Sequence, residues 1–496
     1  MADQDHKQRL TAVDASFLAQ EKHASHMHVG AVVTFEGPPP ARDEFCRHIE
    51  SRLPLVPRYR QRLAVPRLEM GRPFWVDDPS FNLDYHVRHT ALPRPGSIEQ
   101  LRQLVGRIFS QRLDRSKPLW EVWLVQGLEG GRFALISKTH HALVDGVSGV
   151  DIATVLFDLQ PRPAEVEEDD WVPEPVPSDS DLVLEGIKGL VKTPLSLAER
   201  ALEALQNPER TVEQVREAAE GVGEVVWAGL NPAPDVPLNV EIGPHRRVWW
   251  VGCRLSDFKE IKNALGGTVN DAVLAVVAGA LGRWLNSRGV RTEGLELRAL
   301  VPVSIRTEEE HGSLGNRIAA MRGPLPVYVE DPVERLRTVQ QMMGNLKQSK
   351  QALGAEVISG LQDFAPPTLL AQASRLNFST RLFNLIVTNV PGPQFPLYLL
   401  GREMEEIVPI AFLPEHHALA IAIMSYNGKV DFGLLADYDA MPDLEAIAAA
   451  LEEALDELLT AARSRARPAP KADGSAPKTN GGKRAAPSES PAQPDS

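Results

Sequence analysis

Short apolar runs rich in β-branched and aromatic residues alternate along this chain with longer stretches whose apolar positions recur every three to four residues. The first kind predicts strands and the second helices. After the apolar opening from Leu10 to Leu18, Met27-His28-Val29-Gly30-Ala31-Val32-Val33-Thr34-Phe35 reads as a first core strand, ended by Pro38-Pro39-Pro40. A helix follows from Asp43 through Leu53. Strands from Pro118 to Val125 and from Arg132 to Thr139 are joined by a hairpin through Gly127, Gly130 and Gly131. Val150, Ile152, Ala153, Val155, Leu156 and Leu159 then return at helical spacing. Later strands are predicted at Val248 to Leu255, Leu297 to Arg306 and Asn384 to Val390, with a terminal hairpin from Ala418 to Tyr426 and Lys429 to Leu435. A long buried helix begins near Thr268-Val269-Asn270, and an amphipathic helix runs from Leu444 to Leu459. The arginines of Pro57-Arg58-Tyr59-Arg60-Gln61-Arg62-Leu63 read as a solvated face, and Trp120 as packing under the loop that follows residue 140.

Two stretches break this pattern and divide the chain. Between Pro161 and Pro177, five prolines are interleaved with Glu165, Glu167, Glu168, Asp169, Asp170 and Glu174, the composition of a linker. From Leu182 to about Leu230 Ile187, Leu190, Val191, Leu195, Leu197 and Ala198 form an apolar side, which suits either a helical crossover packed on a second domain or a helix lying on lipid. From Arg463 to Ser496 there is almost no apolar bulk, which predicts disorder. The expected division is therefore a domain over 1–160, a linker and crossover over 161–236, a second domain over 237–462 and a basic tail over 463–496.

At 496 residues the chain exceeds one ordinary domain, which agrees with that division. The formal charge of −13 argues against a nucleic-acid partner. The tail carries seven basic and three acidic residues, a net of +4 that leaves the rest at −17 and is suited at most to touching anionic lipid. Two cysteines exclude a disulfide framework and fit a reducing cytosol. The first residues lack an apolar signal region, and the longest apolar candidate, Ala272 to Leu281, falls short of the roughly 20 residues of a span. A cytoplasmic protein with at most peripheral membrane contact is expected.

The chemistry is expected at His140-His141-Ala142-Leu143-Val144-Asp145-Gly146, where a strand ends and the chain turns. Side chains alternate along a strand, so a strand continuing through both imidazoles sends His140 and His141 to opposite sides, and only one faces a substrate. A neutral imidazole suits a general base. Asp145 is placed to fix the loop by pairing with an arginine or with backbone amides. A metal site is disfavoured because opposed histidines do not converge, and only Cys46 and Cys253 could add thiolates. Ser148 in Gly146-Val147-Ser148-Gly149 lacks the glycine spacing of a nucleophile elbow. The second pair, His416-His417, has no aspartate at the matching distance and reads as noncatalytic. Asn270, with the amides of the helix it opens, suits either a cap or a donor to a developing oxyanion.

The HHxxxDG arrangement at residues 140–146 resembles the active-site motif shared by chloramphenicol acetyltransferase, carnitine acyltransferases and peptide-synthetase condensation domains. With Met27-His28-Val29-Gly30, Pro118-Leu119-Trp120, Asn270-Asp271, Pro302-Val303-Ser304 with Arg306, Gly315-Asn316 and Asn389-Val390-Pro391-Gly392-Pro393, the chain over about residues 8 to 460 resembles the bacterial wax ester synthase/diacylglycerol acyltransferase family. That resemblance implies an α+β fold, an α/β sandwich of two chloramphenicol-acetyltransferase-like domains, with acyl-CoA and an alcohol meeting in a channel between them. It implies His141 as general base beside His140, Asp145 as structural, Gly146 as part of the motif, and Asn270 as support from the second domain. Ala272 stands where the family often has a bulkier residue after Asn-Asp.

The reaction expected is direct transfer of a long-chain acyl group from acyl-CoA to diacylglycerol or a long-chain alcohol, without cofactor or metal, at the inner membrane face or a lipid droplet. A condensation-type or polyketide-associated acyltransferase using a carrier-bound donor is the alternative within enzymes, and a lipid-droplet scaffold the alternative outside them. The sequence leaves acceptor, acyl length and oligomeric state open.

Overall fold

The computed structural model describes residues 7–66, 72–144, 155–162, 171–178, 180–181, 232–304, 318–348 and 379–466. The first half comprises β1 (Lys7–Arg9), α1 (Ala12–Gln20), β2 (His28–Phe35), α2 (Arg42–Arg52), β3 (Gln61–Ala64), β4 (Phe74–Asp77), α3 (Leu83–His86), β5 (Val87–Ala91), α4 (Ile98–Phe109), β6 (Trp120–Leu128) and β7 (Arg132–His140). The second comprises β8 (Arg246–Arg254), α5 (Leu255–Leu265), α6 (Val269–Ser287), β9 (Leu297–Ser304), β10 (Ile318–Leu325), α7 (Pro332–Gln348), β11 (Leu385–Pro391), β12 (Tyr398–Leu399), β13 (Arg402–Ile410), β14 (Leu419–Tyr426), β15 (Lys429–Asp437) and α8 (Leu444–Ala466).

Two six-stranded sheets carry the fold, in the orders β12-β13-β2-β7-β6-β5 and β10-β9-β11-β14-β15-β8. Most neighbouring strands are antiparallel; β5 runs parallel to β6, and β11 parallel to both β9 and β14. The central strands are covered on both faces, so they carry continuous apolar runs rather than alternation, as in Val32-Val33 of β2 and Phe133 to Ile136 of β7. The register β2 to β7 sets His28 opposite His140.

The second sheet is backed by α6, whose run from Ala272 to Leu281 is buried all round. Among the described residues, no single helix is long and apolar enough to cross a membrane. Thr268 caps α6 in a reciprocal capping box: its hydroxyl accepts from the Asp271 amide at 3.1 Å, and the Asp271 carboxylate accepts from the Thr268 amide at 2.8 Å. Of the two roles open to Asn270, the cap therefore falls to Thr268, and Asn270 lies in the first turn.

Several sequence expectations change in detail. The second domain is not a closed block over 237–462, because β12 and β13 leave it to complete the first sheet, with β13 pairing to β2 from Met404–Phe35 to Ile410–Gly30. The chain then crosses back through Ala411 to Pro414 into β14, stitching the two halves together. Part of the acidic linker is docked rather than loose. Trp171 lies edge-on to Phe81 and under the Arg60 guanidinium, and the Glu174 amide donates to Asp77 at 3.2 Å. Arg60 is accordingly only 6% exposed, and the solvated-face reading of that cluster fails. The tail begins later than Arg463, since α8 runs to Ala466 and the Arg463 guanidinium makes two 3.0 Å hydrogen bonds to Glu260. The predicted helical side over 182–230, Arg306, Gly315, Asn316 and the remaining tail lie outside the described residues.

Candidate active site

Strand β7 ends at His140, and the chain turns at His141. The strand does not continue through both histidines, so alternation does not decide where His141 points, and each imidazole enters a different environment. His140 is fully buried. Its Nδ1 accepts the Ala142 amide at 3.1 Å, which assigns the proton of the neutral ring to Nε2, 3.8 Å from Glu21 Oε2. Burial pushes this imidazole down to about 3, so it stays uncharged and acts as the brace of the turn. The backbone on either side is pinned as well, with the His140 amide donating to the Leu119 carbonyl at 3.0 Å and the His141 amide to the Met27 carbonyl at 2.7 Å.

His141 is only half-buried. Its ring stacks on Phe17 of α1, centroids 4.0 Å apart and planes 25° apart, and meets Phe412 edge-on at 5.4 Å. Phe412 stands on the crossover from β13 to β14, so the imidazole sits where the two halves of the molecule meet. That crossover is fixed to the loop after α1 by the Ser25 hydroxyl, which donates to the Leu413 carbonyl at 2.9 Å, and by the ion pair of Lys22 with Glu415. Nδ1 of His141 is enclosed without a hydrogen-bond partner among the described residues, which leaves Nε2 as the nitrogen available to a substrate. Burial lowers this imidazole to about 4, against a smaller opposing effect of its own backbone.

Behind the pair lies a buried hub. The Glu21 carboxylate accepts from Arg115 Nε at 2.7 Å, with Arg112 at 3.3 Å and His28 at 3.6 Å. Burial works to raise Glu21, but the Arg115 and Arg112 guanidiniums outweigh it and hold the carboxyl below its ordinary value. Lys138 is also buried, donating to the carbonyls of Ile108 at 2.9 Å and Gln111 at 2.7 Å and to Glu121 at 2.8 Å. Trp120 is buried, and among the described residues its ring meets Tyr59 and His86 rather than the loop after residue 140: the indole donates to the Tyr59 carbonyl at 2.8 Å beside the stacked His86.

The second half contributes a pair of asparagines, Asn270 from the first turn of α6 and Asn389 from β11. Oδ1 of Asn270 accepts from Nδ2 of Asn389 at 2.9 Å, which turns the amide donors of Asn270 away from that contact. No hydrogen bond joins Asn270 to His141 among the described residues. Asp145 and Gly146 lie outside the described residues. His417 is a buried strut, with ring nitrogens 2.8 Å from the Glu415 carbonyl and 3.1 Å from that of Phe383. No group of three metal-ligating side chains occurs among the described residues.

Sequence reasoning missed Phe17, Phe412, Glu21 and the pairing of Asn389 with Asn270. Leu10 to Leu18 signalled only an apolar opening, and a single glutamate after it carried no pattern. Asn270 and Asn389 stood in separate motifs with no local sign that they touch.

Chemically, the arrangement offers one half-open imidazole with a lone pair at neutral pH, and a separately oriented amide donor. The family model described as the wax ester synthase/diacylglycerol acyltransferase catalytic domain matches residues 10–273, and that of the C-terminal domain matches 314–459. A protein of Mycobacterium tuberculosis strain H37Rv named probable diacylglycerol O-acyltransferase tgs1 is 32% identical over 466 residues, covering 92% of this chain and 96% of its own. Its counterpart tgs2 is 34% identical over 456 residues, with 90% and 97% covered. The solved wax ester synthase/diacylglycerol acyltransferase of Marinobacter aquaeolei VT8 superposes with a TM-score of 0.65 at 27% identity, covering 92% of this chain and all of that one. The first condensation domain of the calcium-dependent antibiotic synthetase superposes at 0.56 and 15% identity, covering 93% and 97%, a likeness of fold.

Proposed function

From a chain that belongs to the wax ester synthase/diacylglycerol acyltransferase family, and is an O-acyltransferase, we propose the reaction and its base. A long-chain acyl group passes from acyl-CoA to the hydroxyl of diacylglycerol, and to long-chain alcohols, with His141 as the general base. The observation that carries this reading is the half-open imidazole held between Phe17 and Phe412 where the two halves meet.

Nε2 of His141 takes the proton of the acceptor hydroxyl as its oxygen attacks the thioester carbonyl. The C–O bond forms, the C–S bond breaks, and the imidazolium returns its proton to the departing thiolate, leaving ester and free thiol. An imidazole lowered to about 4 is unprotonated throughout the neutral range, and its conjugate acid gives up a proton readily to a thiolate whose ordinary pKa is about 8.5. General-base help is typically worth about 10²–10⁴ in rate, so positioning supplies much of the rest.

Asn270 is the oxyanion donor in this scheme, supported by the hydrogen bond that commits its Oδ1 to Asn389 and leaves its amide hydrogens to donate. His140 is a positioning residue, and Asp145 with Gly146 shapes the loop. No cofactor is required. The site works at a cytoplasmic lipid surface, because both acceptors partition into lipid.

Purified protein given palmitoyl-CoA with diacylglycerol and hexadecanol side by side is expected to form triacylglycerol and wax ester. Transfer only from a carrier-bound acyl donor would overturn the reading in favour of condensation-type chemistry, and no transfer at all would favour a scaffold.

A further inference from the structure

A cavity of about 620 Å³ lies between α4 and the start of β8. We infer that it holds the phosphate-bearing nucleotide end of the acyl-CoA donor, an inference that rests on the acyl-CoA reading above.

Helix α4 turns one face to the cavity, with Glu99, Arg102, Gln103, Gly106, Arg107 and Ser110 at helical spacing. The opposite wall runs from His245 through Trp249, with Tyr438 closing one side. Gly106 brings the walls together, since a Cβ there would lie 2.8 Å from the Arg246 carbonyl. A volume of this size falls within the range of about 300–1,000 Å³ usual for small-ligand sites.

Four arginines line the cavity, 102, 107, 246 and 247, against Glu99, in a chain whose net charge is −13. A basic concavity on an acidic body marks an anionic ligand. Two of the arginines are held flat over aromatic rings, Arg102 at 3.9 Å from the Trp249 centroid and Arg247 at 4.3 Å from that of Tyr438. One Nη of each donates to a backbone carbonyl, Arg102 to Trp250 at 3.0 Å and Arg247 to Tyr438 at 3.3 Å, and the remaining N–H groups are left for a planar or tetrahedral anion. The Nε atoms of Arg102 and Arg247 are enclosed without a hydrogen-bond partner. Arg107, exposed on α4, has no ion pair or hydrogen bond among the described residues. The acidic neighbours fall on two of the four: Glu99 stands 3.9 Å from Arg102, Glu406 and Glu452 act on the same guanidinium, and Asp437 stands 3.8 Å from Arg246, so the positive charge without an acidic partner among the described residues is that of Arg107 and Arg247.

The cavity connects to the chemistry through one short segment. Arg246 donates to the carbonyl of Ala24, and three residues later the Met27 carbonyl accepts the His141 amide. Three residues of extended chain span at most about 10 Å, so the two sites are neighbours. Arg246 is buried and spent on the carbonyls of Gly243, His245 and Ala24, so it shapes the wall. Phosphates held by Arg107, Arg247 and Arg102, with the adenine against Trp249 or Tyr438, leave the long pantetheine arm to run to His141.

Arg107→Glu in the full chain tests the assignment, because that side chain supports nothing else in the fold. The variant is expected to raise KM for palmitoyl-CoA about tenfold or more, the loss of a charge-assisted phosphate contact, while KM for diacylglycerol stays within twofold. Adenosine 3′,5′-bisphosphate is expected to bind the wild-type protein and to compete with palmitoyl-CoA, and to bind Arg107→Glu and Arg247→Glu at least tenfold more weakly. An unchanged KM for palmitoyl-CoA in an active Arg107→Glu protein would overturn the assignment while leaving the acyl-CoA reading intact. So would binding of phosphatidic acid vesicles that depends on Arg107 and is not displaced by the bisphosphate. A wild-type protein that turns over no acyl-CoA but still binds the bisphosphate through these arginines would instead remove the reaction.

Discussion

Replacing Phe17 by alanine separates the role of the wall from the role of the base. Phe17 supplies the stacked face of His141 at 4.0 Å and is itself 9% exposed. The gap between an ordinary imidazole at 6.5 and one at about 4 is worth about 3 kcal/mol against the charged form. Two rings share the enclosure, and Phe17 covers the face while Phe412 meets the edge. Admitting water on the stacked face is expected to restore roughly half of that difference, bringing the imidazole to between about 5 and 6. The assay is kcat/KM for palmitoyl-CoA from pH 4.5 to 9. The wild-type profile should be flat from pH 8 down to about 5, and that of Phe17→Ala should bend downward on the acid side about one to two pH units earlier. Folding carries the same sign. A histidine buried neutral makes the wild-type protein lose stability as pH falls from 6.5 towards 4, and the variant should lose less over that window. A void at a buried phenylalanine costs about 3–5 kcal/mol, so Phe17→Leu, which keeps most of the packing, is the companion variant. Superimposable profiles for wild type and Phe17→Ala, or a wild-type acid limb near 6.5, would refute the idea that this wall sets the proton affinity of the base.

Three further outcomes follow from the surrounding structure. Asn389→Leu releases Oδ1 of Asn270, so kcat should fall about 10-fold with KM for palmitoyl-CoA nearly unchanged, against about 10²–10³ for Asn270→Ala; steady-state kinetics separates the two parameters, and a change confined to KM would deny Asn389 a positioning role. Glu21→Gln uncouples Arg112 and Arg115, which are 45% and 40% exposed and rehydrate, so the cost should be about 2 kcal/mol rather than the 3–5 of a fully buried pair; because the Glu21 carboxyl is lowered in the fold, the deficit measured by urea unfolding should be complete above pH 5 and fade as pH falls through the lowered value. Asp431 is raised to about 8 by burial and then by Glu406, the two carboxyls sharing the space a side chain at Gly252 would fill; the melting temperature of Asp431→Asn should gain on that of wild type as pH rises from about 4 to about 8 and then hold level, and a constant difference would show that the pair is not buried in this way.

The parts of the fold that were legible in the sequence were those with a local cause. β2, β7 and α6 declare themselves through apolar runs and a capping threonine, and His140 and His141 through the end of a strand. The strand exchange of β13 was not legible, because Arg402 to Ile410 pairs with β2 across more than 360 residues and nothing local specifies which sheet an apolar strand joins. The same distance hid the aromatic cradle. Phe17 and Phe412 are ordinary core residues by pattern, and only the crossover from β13 to β14 brings them to opposite sides of one imidazole. Arg60 failed for a related reason: its aromatic partner, Trp171, sits in an acidic, proline-rich stretch whose composition reads as linker.

The measurement closest to the centre of the account is ester formation by His141→Ala, purified and shown by circular dichroism and melting temperature to be folded, with palmitoyl-CoA and diacylglycerol at saturation. Loss of about 10²-fold or more in turnover, with His140 and the Glu21 hub intact, is the predicted result. Turnover within threefold of wild type would contradict it, and the proton of the acceptor hydroxyl would have to go elsewhere.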